Sequence, residues 1–183
     1  IVSLIWSFSF VIIKGGLTGL DPNFVSAVRL TLSALTFLPF FRPGKLSWRD
    51  MAELAALGAV QFGLMYSLYI ASFAWLPAYM SALLTTTTPL FVVFFNMVFT
   101  RRNVPAFWLA ALLAIVGGVI LKWTPAQMTV NWFGVLLLQL SNVAFALGLI
   151  WYRRLQAAHP DWDEKSLYFI IYAGAAAICA LLM

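Results

Sequence analysis

The sequence predicts an all-α membrane protein, a polytopic bundle of about seven transmembrane helices. Of the 183 residues, 63% are hydrophobic and only 9% are charged. A soluble domain carries about 25% charged residues, so this chain has too few to cover a surface in water. Seven long apolar runs follow one another, and the Lys and Arg residues fall mostly in every second gap between them. That alternation is typical of a protein that crosses a membrane several times.

Each apolar run is close to the length of a membrane-spanning helix, which is about 20 residues. The runs are continuously apolar, and they lack the two-residue alternation of a barrel strand. The predicted spans are residues 1–20, 24–41, 51–75, 79–99, 104–123, 132–152 and 167–183. The first and last residues both fall within an apolar run, so we expect the chain to be part of a longer protein.

The basic residues predict the orientation of the helices. Arg42, Lys45 and Arg49 follow the second run, Arg101 and Arg102 the fourth, and Arg153, Arg154 and Lys165 the sixth. Loops rich in cations stay on the cytoplasmic side, so the even-numbered loops are predicted to be cytoplasmic. Membrane topology thereby accounts for the net charge of +5, and no nucleic-acid partner is expected. The expected location is the bacterial cytoplasmic (inner) membrane, with the lipid bilayer as the partner.

An internal repeat is indicated by two similar spacings. Trp6 precedes Lys14 by eight residues in the first run, and Phe145 precedes Arg153 by the same interval in the sixth. A repeat that restarts at the sixth helix has five helices in each unit, and an odd number inverts the second unit. Lys14 would then lie toward the outside and Arg153 toward the inside, in agreement with the charge pattern.

Several short motifs are spread along the chain in a fixed order. They are Trp6-Ser7-Phe8-Ser9-Phe10 with Lys14, Pro22 with Arg29, Pro77-Ala78 with Ala82-Leu83-Leu84, Pro89-Leu90-Phe91, and Gly117-Gly118. Together they resemble the EamA-type repeat of the drug/metabolite transporter superfamily. Two positions depart from that pattern, because Ser7 replaces the usual glycine and Arg101 stands where an acidic residue is usual after the fourth helix. The resemblance implies ten helices in two inverted five-helix repeats. The first repeat would cover residues 1–123, and residues 132–183 would begin the second.

The resemblance also implies a function. We expect a secondary transporter of small metabolites (amino acids, organic acids or amphipathic compounds) that works by alternating access around a midplane cavity, with export as the direction. No catalytic residue, metal or cofactor is expected. The alternatives are an integral membrane enzyme and a seven-helix receptor. His159 lies in a loop with Asp161, Asp163 and Glu164, a pattern more typical of a solvated helix cap than of a metal site.

Depth in the bilayer ranks the candidate binding residues, because transporter sites lie near the midplane. Polar groups there need partners and should face the bundle interior or a wet cavity. The predicted pathway residues are Trp6, Ser9, Gln61, Tyr69, Thr85, Thr88, Pro89, Gln139 and Asn142. For the threonines a second interpretation stays open, because their hydroxyls can bond back to their own helix.

Pro89 predicts a kink in the fourth helix. Proline lacks an N–H and clashes with the carbonyl four residues earlier, which belongs to Thr85. The carbonyl freed in this way lies beside four consecutive threonines. It could bind substrate, act at a hinge, or accept a hydrogen bond from a threonine hydroxyl.

Lys14 and Arg29 are cations inside predicted spans, about equally far from the external turn at Asp21-Pro22. They would repel one another unless they face apart or share an anion. One interpretation is that both side chains extend toward the outer interface. The other is that they attract the carboxylate of an anionic substrate.

Overall fold

The computed structural model describes residues 8, 11–17, 19–42, 44, 46–101, 104–122 and 131–183. Within these ranges the regular structure is entirely helical, which confirms the predicted fold class. Two residues of the predicted pathway, Trp6 and Ser9, lie outside the described ranges.

A π-helical turn at Ile13–Leu17 precedes seven helices of the described part. They are α1 (Pro22–Phe37), α2 (Trp48–Ser72), α3 (Ala78–Thr85), α4 (Thr88–Thr100), α5 (Pro105–Lys122), α6 (Trp132–Ala158) and α7 (Glu164–Leu181). Five segments of the described residues are long and apolar enough to cross a membrane: α1 with its following 3₁₀ turn, α2, α3 together with α4, α6 and α7. Helix α5 is apolar over the shorter stretch Pro105–Gly117.

Side-chain caps fix where three of these helices begin. The Asp21 carboxylate accepts hydrogen bonds from the backbone N–H groups of Asn23 and Phe24, at 2.8 and 2.9 Å. Ser47 and Asp50 form a reciprocal capping box at the start of α2. The Asn131 side chain caps α6 in the same way as Asp21 caps α1. These residues satisfy N–H groups that a helix cannot satisfy within its first turn.

The helices pack around two centres. Helix α7 lies against α1 and α2, and α6 lies against α2, α3 and α4. Leu54, Leu57 and Ile171 are almost fully buried in the α2–α7 contact. Much of the outer surface of the bundle is apolar, including Leu109, Leu113 and other side chains of α5. Such a surface suits lipid tails, so the chain is an integral membrane protein.

Contacts near the helix ends assign those ends to two sides of the bundle. On one side the Asn23 side chain donates to the Leu182 carbonyl at 2.9 Å, so α1 begins where α7 ends. On the other side Trp151 Nε1 donates to a Glu53 carboxylate oxygen at 2.9 Å. A helix rises about 1.5 Å per residue, so the number of residues from a helix end gives the approximate depth of a side chain below that side of the bundle.

Candidate functional site

A large cavity lies between α1, α2, α4, α5 and α6. Its volume is about 980 Å³, and small-molecule sites span roughly 300–1,000 Å³. The aromatic part of its wall consists of Phe62, Tyr66, Tyr69, Phe107 and Phe145, and the polar part of Arg29, Thr85, Thr86, Thr88, Asn96, Ser141, Asn142 and Arg153. The cavity therefore combines a mainly apolar lining with a few hydrogen-bonding groups and two cations.

Arg29 places a cation on this wall. Its guanidinium lies over the ring of Tyr66, 4.9 Å from the ring centroid. The residue is eight positions past Asp21, which corresponds to a depth of about 12 Å along α1. The stacking contact supplies about 0.5–2 kcal/mol, but the charge remains. None of the six acidic residues of the sequence lies in the interior of a span, so Arg29 is suited to an anionic ligand.

Lys14 lies off the cavity wall. Its ammonium group donates a hydrogen bond to the backbone carbonyl of Phe73, the residue that ends α2. A cation at this position satisfies a helix-terminal carbonyl and complements the negative end of the helix dipole. The two intramembrane cations thus face different partners, and the predicted attraction of Lys14 for an anion stays a prediction.

The fourth predicted span is interrupted at the threonines. Helix α3 ends at Thr85 and α4 begins at Thr88, with Pro89 in the first turn of α4. Because Pro89 has no N–H, the Thr85 carbonyl has lost its helical donor, and the Thr88 hydroxyl replaces it at 2.7 Å. The hydroxyls of the other three threonines donate to carbonyls of their own chain in the same way. The sequence predicts a kink in this helix, and the structure shows a break between two shorter helices. The threonine hydroxyls donate to carbonyls within the same segment.

A polar cluster lies beside this interruption. It consists of the Leu84 carbonyl and the side chains of Thr87, Gln139 and Asn142. Asn142 Nδ2 donates to the Leu84 carbonyl at 3.0 Å and to Gln139 Oε1 at 3.1 Å. The Thr87 hydroxyl is 2.9 Å from Gln139 Oε1. Asn142 belongs to the cavity wall, and its two partner side chains lie behind it.

The cavity brings together six of the predicted residues and leaves three others apart. Arg29, Tyr69, Thr85, Thr88, Pro89 and Asn142 line it. Gln139 contacts it only through Asn142, and Lys14 lies at the end of α2. Gln61 is buried against Gly148 of α6. Roles for these residues in transport stay predictions.

Four polar residues of the wall were not among the predicted pathway residues: Thr86, Asn96, Ser141 and Arg153. Asn96 lies seven positions after Pro89, and Pro89, Val92, Val93 and Asn96 all face the cavity at helical spacing. That spacing is a signal in the sequence, but ranking by depth alone favours residues nearer the midpoint. Arg153 is the basic residue of the second repeat motif. It is twenty-two positions past Asn131, which places it about 33 Å along α6 and near the opposite end from Arg29.

The loop that contains His159 shows ring stacking. The His159 ring lies parallel to the Trp162 ring with their centroids 4.1 Å apart. In the described part of the chain, no group of three His, Cys, Asp or Glu side chains is placed to hold a metal ion.

The structure is a polytopic helical bundle that surrounds a mainly apolar cavity with buried amides and a half-buried cation. These features define a membrane protein of the transporter class. Residues 1–124 match the model of the EamA-like transporter family, and the chain belongs to that family. The family predicted from the motifs is therefore confirmed. It is a family of transporters, not of enzymes.

Bacterial relatives resemble almost the whole chain. The chain is 32% identical to a protein of Salmonella typhimurium named biotin transporter, over 99% of this chain and 60% of that protein. It is 33% identical to a protein of the same name from Escherichia coli K12, with the same coverage. A probable biotin transporter of Pseudomonas aeruginosa is 34% identical over 95% of this chain and 61% of that protein. The chain thus spans about three fifths of the length of these curated relatives. No solved structure matches it significantly.

Proposed function

We propose that this chain belongs to a secondary carrier for small amphipathic carboxylates, biotin among them, in the bacterial cytoplasmic membrane. The observation that supports this function best is the position of Arg29, a guanidinium over an aromatic ring on the wall of an apolar cavity. A substrate with a carboxylate and an apolar body would satisfy both parts of that wall. Biotin has this chemistry, and several relatives carry it in their names.

The distribution of charge supports an anionic substrate. Arg29 and Arg153 both line the cavity, and their positions along α1 and α6 differ by about 20 Å in depth. An anion that moved through the cavity would leave one cation and approach the other. Transport by alternating access would then use the inverted repeats, 1–123 and the part that begins at 132–183. Export remains the expected direction.

Transport in proteoliposomes of the complete protein tests this function. Uptake and efflux of labelled biotin would be measured with and without a pH gradient, and amino acids, organic acids and amphipathic amines would serve as competitors. We expect saturable biotin flux that other amphipathic carboxylates inhibit and that amines of similar size do not. Inhibition by amines alone, or flux no faster than in empty liposomes for all these compounds, would contradict the proposal.

A further inference from the structure

The orientation of the Asn142 side chain is fixed by its partners. The Leu84 carbonyl can only accept a hydrogen bond, so the atom of Asn142 that lies 3.0 Å from it must be the amide nitrogen. The same nitrogen is 3.3 Å from the Thr87 hydroxyl oxygen and 3.1 Å from Gln139 Oε1. The oxygen Oδ1 is therefore turned away from the polar cluster.

Because the three hydrogen bonds of Asn142 all use its amide nitrogen and the residue lines the cavity, we infer that Oδ1 is accessible from the cavity. Within the described residues no donor is bonded to Asn142 Oδ1. The one fully buried polar side-chain atom without a partner among these residues is Tyr152 Oη, so Asn142 Oδ1 is not fully buried. Asn142 is only 5% exposed, and it is one of the residues that line the cavity. An amide oxygen in such an apolar setting gains more from a hydrogen bond than one in water does.

Asn142 and Arg29 lie at similar depth on different helices. Asn142 is eleven positions past Asn131, about 16 Å along α6, whereas Arg29 is about 12 Å along α1. Both line the same cavity. A single small molecule could therefore meet a cation through one of its groups and an amide acceptor through another.

We propose that Asn142 determines specificity by accepting a hydrogen bond from an N–H group of the substrate while Arg29 binds its carboxylate. This inference rests on the proposed function and narrows it. The favoured substrates are carboxylates that carry a second, uncharged N–H donor such as a cyclic urea or an amide. Carboxylates whose bodies have no N–H group leave Asn142 Oδ1 without a partner and bind more weakly.

Biotin and lipoate form a matched pair for the test. Both carry a pentanoate chain on a sulfur-containing ring, but only biotin has a ureido group with N–H donors. Their half-saturating concentrations would be measured in proteoliposomes for the unmodified complete protein, for Asn142→Leu and for Thr87→Val. Thr87→Val is the control variant, because Thr87 belongs to the same polar cluster but does not line the cavity.

We expect the unmodified protein to favour biotin over lipoate by about tenfold, the value of one hydrogen bond in a dry site. Asn142→Leu should remove that preference and leave lipoate transport in place, and Thr87→Val should keep the preference. If Asn142→Leu weakened the binding of biotin and of lipoate by the same factor, the inference would be overturned and Asn142 would be a structural residue.

A second measurement needs no variant. Biotin methylated on its ureido nitrogens should inhibit lipoate transport about tenfold less strongly than biotin does. Equal inhibition would overturn the role of Asn142 while the carrier function stands. Absence of transport for every carboxylate tested would overturn the carrier function itself. A failure of the role of Asn142 can thus be distinguished from a failure of the proposed function.

Discussion

Arg29 holds its guanidinium over the Tyr66 ring on the cavity wall, whereas the Lys14 ammonium donates to the Phe73 carbonyl at the end of α2. The two cations begin at similar depth, but only one of them faces the space that a substrate would occupy. A charge in the membrane is retained at a cost of several kcal/mol. Here that cost is offset in one case by a helix terminus and in the other by an aromatic ring.

Replacing Arg29 by Gln should reduce transport of anionic substrates by about ten- to a hundredfold, because a charge-assisted hydrogen bond to the carboxylate is lost. Arg29→Lys should restore only part of the activity, since an ammonium group neither stacks as well on Tyr66 nor binds a carboxylate through two N–H groups. Rates of labelled biotin flux per folded protein would measure the effect.

Lys14→Gln is the matched control for Arg29. It should lower stability by about 1 kcal/mol through the loss of the helix-terminal contact, and it should reduce anion transport per folded molecule less than Arg29→Gln does, because Lys14 lies off the cavity wall. If Arg29→Gln and Lys14→Gln reduced biotin flux equally, Arg29 would have no special role in binding the anion.

At the scale of whole helices, glycines allow α2 and α7 to approach one another closely. A Cβ added to Gly174 of α7 would lie 2.6 Å from the Cα of Ala55 in α2, and Gly58 meets the backbone of Ile171 in the same way. No side chain fits between backbones at that distance. The contact positions α2, which carries the cavity residues Tyr66 and Tyr69.

Gly174→Ala should therefore destabilise the protein by about 1–3 kcal/mol, since the backbones of α2 and α7 must separate. Gly117→Ala is the control, because a Cβ at Gly117 meets no atom within 4 Å. The control should be neutral or stabilising by up to about 1 kcal/mol, the difference in helix propensity. Thermal unfolding in detergent would compare the two variants. Equal melting temperatures for Gly174→Ala and the unmodified protein would argue against the close contact.

For the whole molecule, the structure places the basic loops on one side of the bundle. The backbone N–H of Arg42 donates to Ser166 at 2.9 Å, and the Arg154 guanidinium lies over Phe99. The ends of α1, α4 and α6 therefore meet at a single face. The positive-inside rule predicts that this face is cytoplasmic.

Cysteine labelling tests that orientation. Gly19→Cys lies at the opposite face in open space, and Ala158→Cys lies exposed at the end of α6. In intact spheroplasts a membrane-impermeant maleimide should label Gly19→Cys, and it should label Ala158→Cys only after permeabilisation. The unmodified protein is the control, because its single cysteine, Cys179, is buried. Labelling of Ala158→Cys from outside would reverse the predicted topology.

Much of the fold could be predicted from the sequence, because membrane-spanning helices are marked by residues that are close together in the chain. Their length, the turn at Asp21-Pro22 and the basic residues after every second span are all readable in order along the chain. The disturbance at Pro89 was also predictable, since a missing N–H has a fixed local effect. The cavity was harder to predict. Gln61 and Asn142 are amides at comparable depth, but only Asn142 lines it.

By itself, then, the sequence determined the membrane class, the positions of the spans that the structure describes and the family, because hydropathy, charge and short motifs depend on residues that are near one another in the chain. Only the tertiary structure decided which polar side chains share one space. It turned Arg29 toward Tyr66 and Lys14 toward Phe73, and it placed Gln139 behind Asn142. The physical reason is that rotation and tilt of each helix depend on side chains of other helices, which no local pattern records.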